Sequence, residues 1–442
     1  MKVAVIGVGH VGLVSAGCLA RWGHDVVGMD DNPDAIATLR RGGVQFHEPG
    51  LPELVAEGVA SGRLRFTDDP AEAFDHAEVA FVCVGTPPLP GGAPNLAYVE
   101  KVGHTAASHA TRDLVLVEKS TVPASTGVRL LQSIGREQSL ANSSVRIDVA
   151  SNPEFLREGS AVEDTLRPDR IVIGAESDRA RDALLAVYEP LLAEHPCPVL
   201  VTDLATAELI KHASNAFLAT KISFINAVAR VCELVGADVE QVADGMGLDH
   251  RIGRQFLNAG LGYGGSCFPK DVDAFLHLAR AAGYDFPLLD EVRRINGSQR
   301  TWVIDRLRAE LWHLQGKTVA LLGAAFKPGT DDLREAPAID IAGRLLDEGA
   351  TVRVYDPVAL HRVKDLLPAV QVVEDPLAAC RGAHAAVVCT EWPEVAAITP
   401  AEFAEALNYP IVIDGRNVFD PATMSAAGIR YHSVGRPIGT TA

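Results

Sequence analysis

The sequence lacks a basic excess. Lysine and arginine total 40 against 57 aspartate and glutamate, a formal net charge of −17. Binders of nucleic acid or of anionic membranes need a basic face, so neither partner class is expected. A local basic pocket for an anionic small molecule stays open. The chain also lacks any run of about 18 apolar residues, so no transmembrane helix is expected. It lacks paired cysteines too. The seven, at 18, 83, 197, 232, 267, 380 and 389, are odd in number and widely spaced, with no C-x-x-C pair or Cys/His cluster. Neither a metal site nor a disulfide framework is expected, and the cytoplasm is the default setting. The N-terminal MKVAVIGVGHVG is apolar. Interspersed glycines, His10 and the lack of a small-residue cleavage site make it read as fold and not as a secretion signal.

What is present is a soluble globular composition, 48% hydrophobic and 22% charged, over 442 residues, enough for about three domains, with two the alternative. An apolar run from Val3 to Ile6 leads into Gly7-x-Gly9-x-x-Gly12. A helical stretch over 11–22 follows, then a second strand at 25–30 that ends on Asp30. Strand, glycine turn, helix, strand and acid in that order form a dinucleotide-binding unit. The glycines let backbone approach a pyrophosphate at a helix N-terminus, and Asp30 is placed for a ribose hydroxyl. With Asp31 beside it, that carboxylate disfavours the extra phosphate of NADP. Further short apolar runs at 79–84, 114–117, 147–149 and 170–173 alternate with helical stretches, the pattern of a parallel sheet covered on both faces.

Residues 203–235 contain no proline or glycine, and Leu209, Ile210, Ala213, Phe217, Ile225, Val228 and Val231 recur at helical spacing. One long helix is predicted, with Asp203 as N-cap and Gly236 closing it. Its apolar positions exceed what one lobe could cover, which predicts a homodimer. From Lys317 the strand–helix alternation restarts, with strands at 318–322, 351–356, 385–389 and 411–414 and a helix at 336–348. The turn Gly323-Ala-Ala-Phe-Lys-Pro lacks the second and third fingerprint glycines, so no dinucleotide is placed there. The expected fold class is α/β: two doubly wound Rossmann-like domains joined by a central helical domain with one long helix.

Five stretches carry possible chemistry. Cys267 lies in a Gly-rich loop, Gly264-Gly-Ser-Cys-Phe-Pro-Lys-Asp271, where Lys270 would favour a thiolate. A buried structural thiol is the competing reading. Lys211 and Asn215, at i and i+4, share a helix face and could bind an oxyanion; on a lone helix an exposed polar stripe is the ordinary reading. Glu118-Lys-Ser-Thr-Val-Pro123 and Asn152-Pro-Glu-Phe-Leu-Arg-Glu158 follow strands, which makes Thr121, Glu154 and Glu158 site candidates against ordinary loop capping. Phe326-Lys-Pro-Gly-Thr-Asp-Asp-Leu-Arg334 offers Lys327 and Arg334 to a nucleotide phosphate, or is a solvated charged loop.

In this order the motifs GVGHVG, GTP (85–87), KSTVP, NPEFLREG, LIKHASNAFLATKISFIN, GYGGSCFPKD and FKPGTDDLRE resemble the UDP-glucose/GDP-mannose dehydrogenase family over nearly the whole chain. The loop around Cys267 is most similar to the UDP-glucose branch. The resemblance implies an NAD-binding domain at 1–200, a helical dimerisation domain at 201–300 and a UDP-sugar-binding domain at 315–442. It implies Cys267 as nucleophile, Lys211, Asn215 and Asp271 as its polar partners, and Thr121 and Glu154 near the reacting carbon and water. Gly7, Gly9, Val11, Gly12, Asp30, Thr86, Thr121, Glu158, Lys270 and Arg334 would meet NAD. Glu154, Phe155, Lys211, Asn215, Phe256, Leu257, Asn258, Ala259, Gly260, Gly264 and Lys327 would meet UDP-glucose, and Arg251 would reach a neighbouring subunit's site. The implied reaction is a four-electron oxidation to UDP-glucuronate with two NAD, feeding polysaccharide precursors. Two positions depart from the pattern: Ala35, where many relatives carry lysine, and Asn258, lysine in some. Oxidation of another nucleotide sugar is the nearest alternative. A two-electron hydroxyacid dehydrogenase would not need Cys267, and a silent NAD-binding regulator would not need all four of Cys267, Lys211, Asn215 and Asp271.

Overall fold

The computed structural model describes residues 1–437; the last five residues of the expected 315–442 domain lie outside them. The chain divides into two compact units. The first is Met1–Ser214 with Asp273–Gly283; the second is Asn215–Val272 with the chain from Tyr284 onward. Segment 201–300 therefore contributes to both.

The first unit is built on an eight-stranded sheet of β1 (Lys2–Ile6), β2 (Asp25–Met29), β3 (Leu64–Thr67), β4 (Val79–Val82), β5 (Leu114–Glu118), β6 (Ile147–Ser151), β7 (Ile171–Ala175) and β8 (Val199–Thr202). Its order is β3-β2-β1-β4-β5-β6-β7-β8. The inner strands are apolar on both faces because helices cover both, and separate cores fill the two sides. All neighbours run parallel except β6 and β7. Ser151 pairs with Gly174 and Ala150 with Ala175, so the connection 152–170 both leaves and returns at the carboxyl end of β6. That is the edge where open α/β sheets bind ligands, and the connection carries Glu154, Phe155 and Glu158.

The second unit holds an all-parallel sheet of β9 (Thr318–Leu322), β10 (Thr351–Tyr355), β11 (Gln371–Val373), β12 (Ala385–Val388), β13 (Ile411–Asp414) and β14 (Arg430–Ser433), in the order β11-β10-β9-β12-β13-β14. Strands one to six of each sheet thus follow the doubly wound order 3-2-1-4-5-6. The helical part of this unit packs Ile225, Ala229, Trp302 and Leu307 into the core on one face of its sheet.

The long helix runs Leu204–Val235, 32 residues. Asp203 caps it, accepting the Thr206 N–H at 2.7 Å. Gly236, at φ 75°, turns the chain off its end. Among the described residues no helix is long and apolar enough to cross a membrane.

Candidate active site

The glycine turn of the first unit shows two kinds of glycine. A Cβ on Gly7 would stand 2.8 Å from the Cys83 carbonyl oxygen, and one on Gly12 only 1.8 Å from the Gly7 oxygen. Gly12 is required because helix His10–Arg21 packs directly on the turn, and Gly7 because the backbone leaving β4 passes beside it and its own φ is 90°. A Cβ on Gly9 would meet nothing within 4 Å. Space is therefore left open at the N-terminus of that helix, where amide donors and the helix dipole favour an anion. Asp30 is fixed at the end of β2. Its Oδ2 accepts the Val8 N–H at 2.9 Å and its Oδ1 the Asn32 N–H at 3.0 Å. Asp31 does not simply add its charge, because Lys101 pairs with it at 2.9 Å. Val11 packs on the core and Thr86 is buried, its hydroxyl donating to the Thr121 carbonyl oxygen at 3.0 Å. Sequence reading missed Glu48. Buried, it binds His10 Nε2 at 2.8 Å and accepts the Gly159 and Ala161 N–H groups at 2.7 and 2.8 Å. It thereby ties the glycine turn to the loop of Glu158, itself buried.

The equivalent turn of the second unit is already filled. Asp356, at the position matching Asp30, accepts the Ala324 and Ala325 N–H groups at 2.8 and 3.0 Å and the Trp392 indole at 3.1 Å. Asp356 takes the Ala324 amide as Asp30 takes that of Val8, and in addition the Ala325 amide, which matches Gly9 and would otherwise face a phosphate.

Lys211 and Asn215 are 3% and 6% exposed, so they do not form a solvent-facing stripe. Lys211 Nζ lies 2.9 Å from Glu154 Oε1, both side chains buried. Glu154 Oε2 also accepts the Leu156 N–H at 2.8 Å. The Phe155 ring has the Arg170 guanidinium 3.8 Å and the Lys211 ammonium 5.6 Å from its centre. Near Thr121, Glu118 and Glu208 are buried carboxyls. Burial first, and the charge of Glu208 second, hold Glu118 well above the carboxylate range. Burial pushes Glu208 up to about 7, against hydrogen bonds from backbone N–H groups.

In the second unit Cys267 directly precedes helix Phe268–Ala281, and its carbonyl accepts the Asp271 N–H at 2.8 Å. The half-buried thiol sits at a helix N-terminus, which favours thiolate; the Ser266 hydroxyl lies 3.5 Å from Sγ. Cys18, Cys83, Cys380 and Cys389 are buried thiols pushed up to about 12 by burial. Asp271, one turn after Cys267 and buried, accepts Asn215 Nδ2 at 2.6 Å on one oxygen and Lys270 Nζ at 2.6 Å on the other. Lys270 is thus engaged by a carboxylate, and its charge is not reserved for the thiol.

The loops around this helix are held by residues that sequence reading passed over. Asn226 accepts the Gly260 N–H at 2.8 Å. Asn296 bonds both backbone groups of Tyr263, at 2.8 and 3.0 Å. Arg254 donates to the Leu257 carbonyl at 3.0 Å and to the Asn258 side chain at 2.6 Å. Phe256 stands at φ 64°, strained for a bulky residue, and packs near the Phe268 ring. Ala259 is buried between these anchors. A Cβ on Gly264 would come within 2.3 Å of the Glu335 carbonyl oxygen, so this loop lies directly on the segment after Lys327. Lys327 Nζ sits over the Phe326 ring. Arg334 is exposed and grips Asp332, and Arg251 is exposed and grips Asp249. Among the described residues no three His, Cys, Asp or Glu side chains gather as a metal site.

Room over Gly9 and an oriented acid closing β2 fit NAD: Gly9 would face its pyrophosphate and Asp30 its ribose. The chain is an NAD-dependent oxidoreductase. Comparison with known proteins agrees at finer grain. The family models for the NAD-binding, central and UDP-binding domains of the UDP-glucose/GDP-mannose dehydrogenase family match residues 1–192, 205–298 and 320–421, and the chain belongs to that family. It is 46% identical over 437 residues to UDP-glucose 6-dehydrogenase TuaD of Bacillus subtilis, covering 99% of this chain and 93% of that one. A UDP-glucose dehydrogenase structure from Pyrobaculum islandicum superposes with a TM-score of 0.91 at 40% identity, covering 98% and 97% of the two chains. A UDP-D-ManNAc dehydrogenase structure from Pyrococcus horikoshii gives 0.87 at 27%, covering 99% of each.

The two kinds of glycine make a paired prediction. Gly9→Ala should fold like the wild type and lose at least about 1.4 kcal/mol of NAD binding, a factor of about ten. Gly12→Ala should cost about 1–3 kcal/mol of stability through overpacking. Calorimetric titration with NAD and urea unfolding separate the two; equal effects of both substitutions on both measurements would contradict the packing difference.

Proposed function

We propose that the protein oxidises carbon 6 of UDP-glucose from primary alcohol to carboxylate, giving UDP-glucuronate. The observation that carries this reading is the thiol of Cys267 at a helix N-terminus, followed one turn later by buried Asp271 holding the Asn215 amide. Oxidation to an aldehyde needs no nucleophile. An aldehyde yields a second hydride only after a nucleophile adds to it. The substrate draws support from the Bacillus subtilis and Pyrobaculum islandicum relatives, both UDP-glucose enzymes by name, and from the UDP-binding family domain.

In the first oxidation a base takes the O6 proton as hydride leaves carbon 6; Glu154 and Asp271 are the carboxylates for that task, directly or through water. The Cys267 thiolate then adds to the aldehyde carbon, forming a C–S bond and an alkoxide. The Lys211 ammonium stabilises that charge, as does the second N–H of Asn215, whose first is spent on Asp271. Loss of the second hydride leaves a thioester. Water, its proton taken by a carboxylate, adds to the thioester carbonyl, and the C–S bond breaks to return the thiolate and release the product carboxylate. NAD, when bound, accepts each hydride, two per product. Thr121 and Phe155 border the reacting end. Glu158, Lys270 and Arg334 serve the cofactor region, and Leu257–Gly260, Gly264 and Lys327 hold the nucleotide end.

Cys267→Ser should still form a hemiacetal and then an ester, which hydrolyses poorly. Intact-protein mass spectrometry after incubation with UDP-glucose and NAD should show a sugar adduct, with a burst of up to two NADH per site. Cys267→Ala should form no adduct and lose turnover by up to about 10⁶-fold, the scale seen when covalent nucleophiles are removed. Near-wild-type turnover of Cys267→Ala would end the thioester reading. Faster oxidation of another nucleotide sugar in a parallel panel would move the substrate and leave the chemistry.

The assembly is read as a homodimer on the long helix. Phe217, Phe224 and Val231 are 65%, 50% and 57% exposed, and their seven-residue spacing forms one apolar stripe of coiled-coil type. A second copy would cover it, with Arg251 reaching toward the neighbouring site. Light scattering should give at least a dimer at micromolar concentration, and Phe224→Asp should shift it toward monomer. A monomeric wild type would contradict this.

A further inference from the structure

One face of helix Leu204–Val235 is polar and buried. Lys211, His212 and Asn215 stand three, four and seven residues beyond Glu208, so the four share a face, and all four are buried. The chemistry above uses Lys211 and Asn215. It gives no task to Glu208 or His212. Both grip the connection between β5 and helix Thr126–Ala141, the segment that carries Thr121. Glu208 Oε2 accepts the Ser125 N–H at 2.6 Å, and its Oε1 accepts the Gly127 N–H at 2.7 Å. His212 Nε2 donates to the Val122 carbonyl oxygen at 2.9 Å.

The connection needs such support. Ser125 stands at φ 79° without being glycine, and the helix after it has no side-chain cap from its own segment. The cap comes from Glu208, far along the chain. Gly127 admits it: a Cβ there would stand 3.1 Å from Glu208 Oε1. From the other side Thr86 holds the Thr121 carbonyl. Lys211 lies less than one turn beyond Glu208 on the same helix, so the carboxylate that holds the connection rides on the element that carries the ammonium.

We propose that Glu208 is a positioning residue for the oxidation: by clamping the Ser125–Gly127 backbone it fixes Thr121 relative to Lys211. This rests on the roles given to Thr121 and Lys211 above. In Glu208→Gln one oxygen acceptor becomes an N–H that opposes a backbone N–H, with shape preserved. The expected result is a folded protein whose kcat falls about tenfold to a hundredfold, the scale of an ångström-sized misplacement. KM for the sugar nucleotide should hold within about twofold, the pattern of an interaction lost in the transition state.

A merely structural cap would lower the melting temperature and leave this split unmoved. The decisive readout is a cycle with Thr121→Ala. If Glu208 acts through Thr121, adding Glu208→Gln to Thr121→Ala should change kcat by less than about twofold, whereas independent effects multiply. Should Glu208→Gln fail to fold, Gly127→Ala replaces it in the cycle, since its Cβ presses on the same carboxylate and removes no charge. The kinetics are read with whichever nucleotide sugar the wild type oxidises, so inactivity toward UDP-glucose counts against the substrate reading alone. A kcat within about twofold of wild type in the folded variant, or multiplying effects in the cycle, overturns the positioning role.

Discussion

The Lys211–Glu154 ion pair is the constraint from which the arrangement of the first unit's polar interior follows. Two opposite charges 2.9 Å apart, both buried, are costly to remove from water, and apolar residues of similar volume would often give equal or greater stability. Once the pair is in place, its surroundings must satisfy what it leaves over. The Glu154 carboxylate takes a backbone N–H from its own connection. That connection leaves and returns at the carboxyl end of β6 because β7 runs antiparallel to it. The helix that supplies Lys211 must in turn sit closely on the β5 connection, which Glu208 and His212 hold. Topology, helix face and charge pair are parts of one arrangement, and on the proposed mechanism its use is chemical.

The two sheets show how one topology can serve two ends. Both follow the same strand order, and both carry an acid at the end of the second strand. In the first unit Asp30 spends one oxygen on Val8 and leaves the space over Gly9 open. In the second, Asp356 turns inward and takes two turn amides and an indole. The missing glycines of Gly323-Ala-Ala are the sequence trace of that difference, since alanines are tolerated where no ligand has to approach.

The fold class was legible because the central strands are apolar runs and the glycine turn is local. The strands not read from sequence are β3, β8, β11 and β14, and these are the four sheet edges. LRFT, QVV and RYHS are three or four residues long and set polar or charged residues among the apolar ones, so they carry no apolar run long enough to recognise. VLVT is apolar but partly exposed, and only its neighbour β7 reveals it. The candidate site residues were singled out by type and motif. Their burial was not legible, because an i, i+4 pair of Lys and Asn is equally compatible with solvent. Glu48, Glu208, Asn226 and Arg254 were passed over because side chains that cap backbone groups distant in the chain, or support a loop, leave no local spacing to recognise.

On the proposed mechanism the buried Lys211–Glu154 pair is kept for chemistry and not for stability. A double-substitution cycle with Lys211→Met and Glu154→Gln, read by urea unfolding and by turnover on the same samples, tests it most directly. Each single change should cost about 3–5 kcal/mol by stranding a buried charge, and the double variant should recover most of that stability. Turnover should stay abolished in all three. Additive stability losses, or a double variant that regains activity with its stability, would contradict the account.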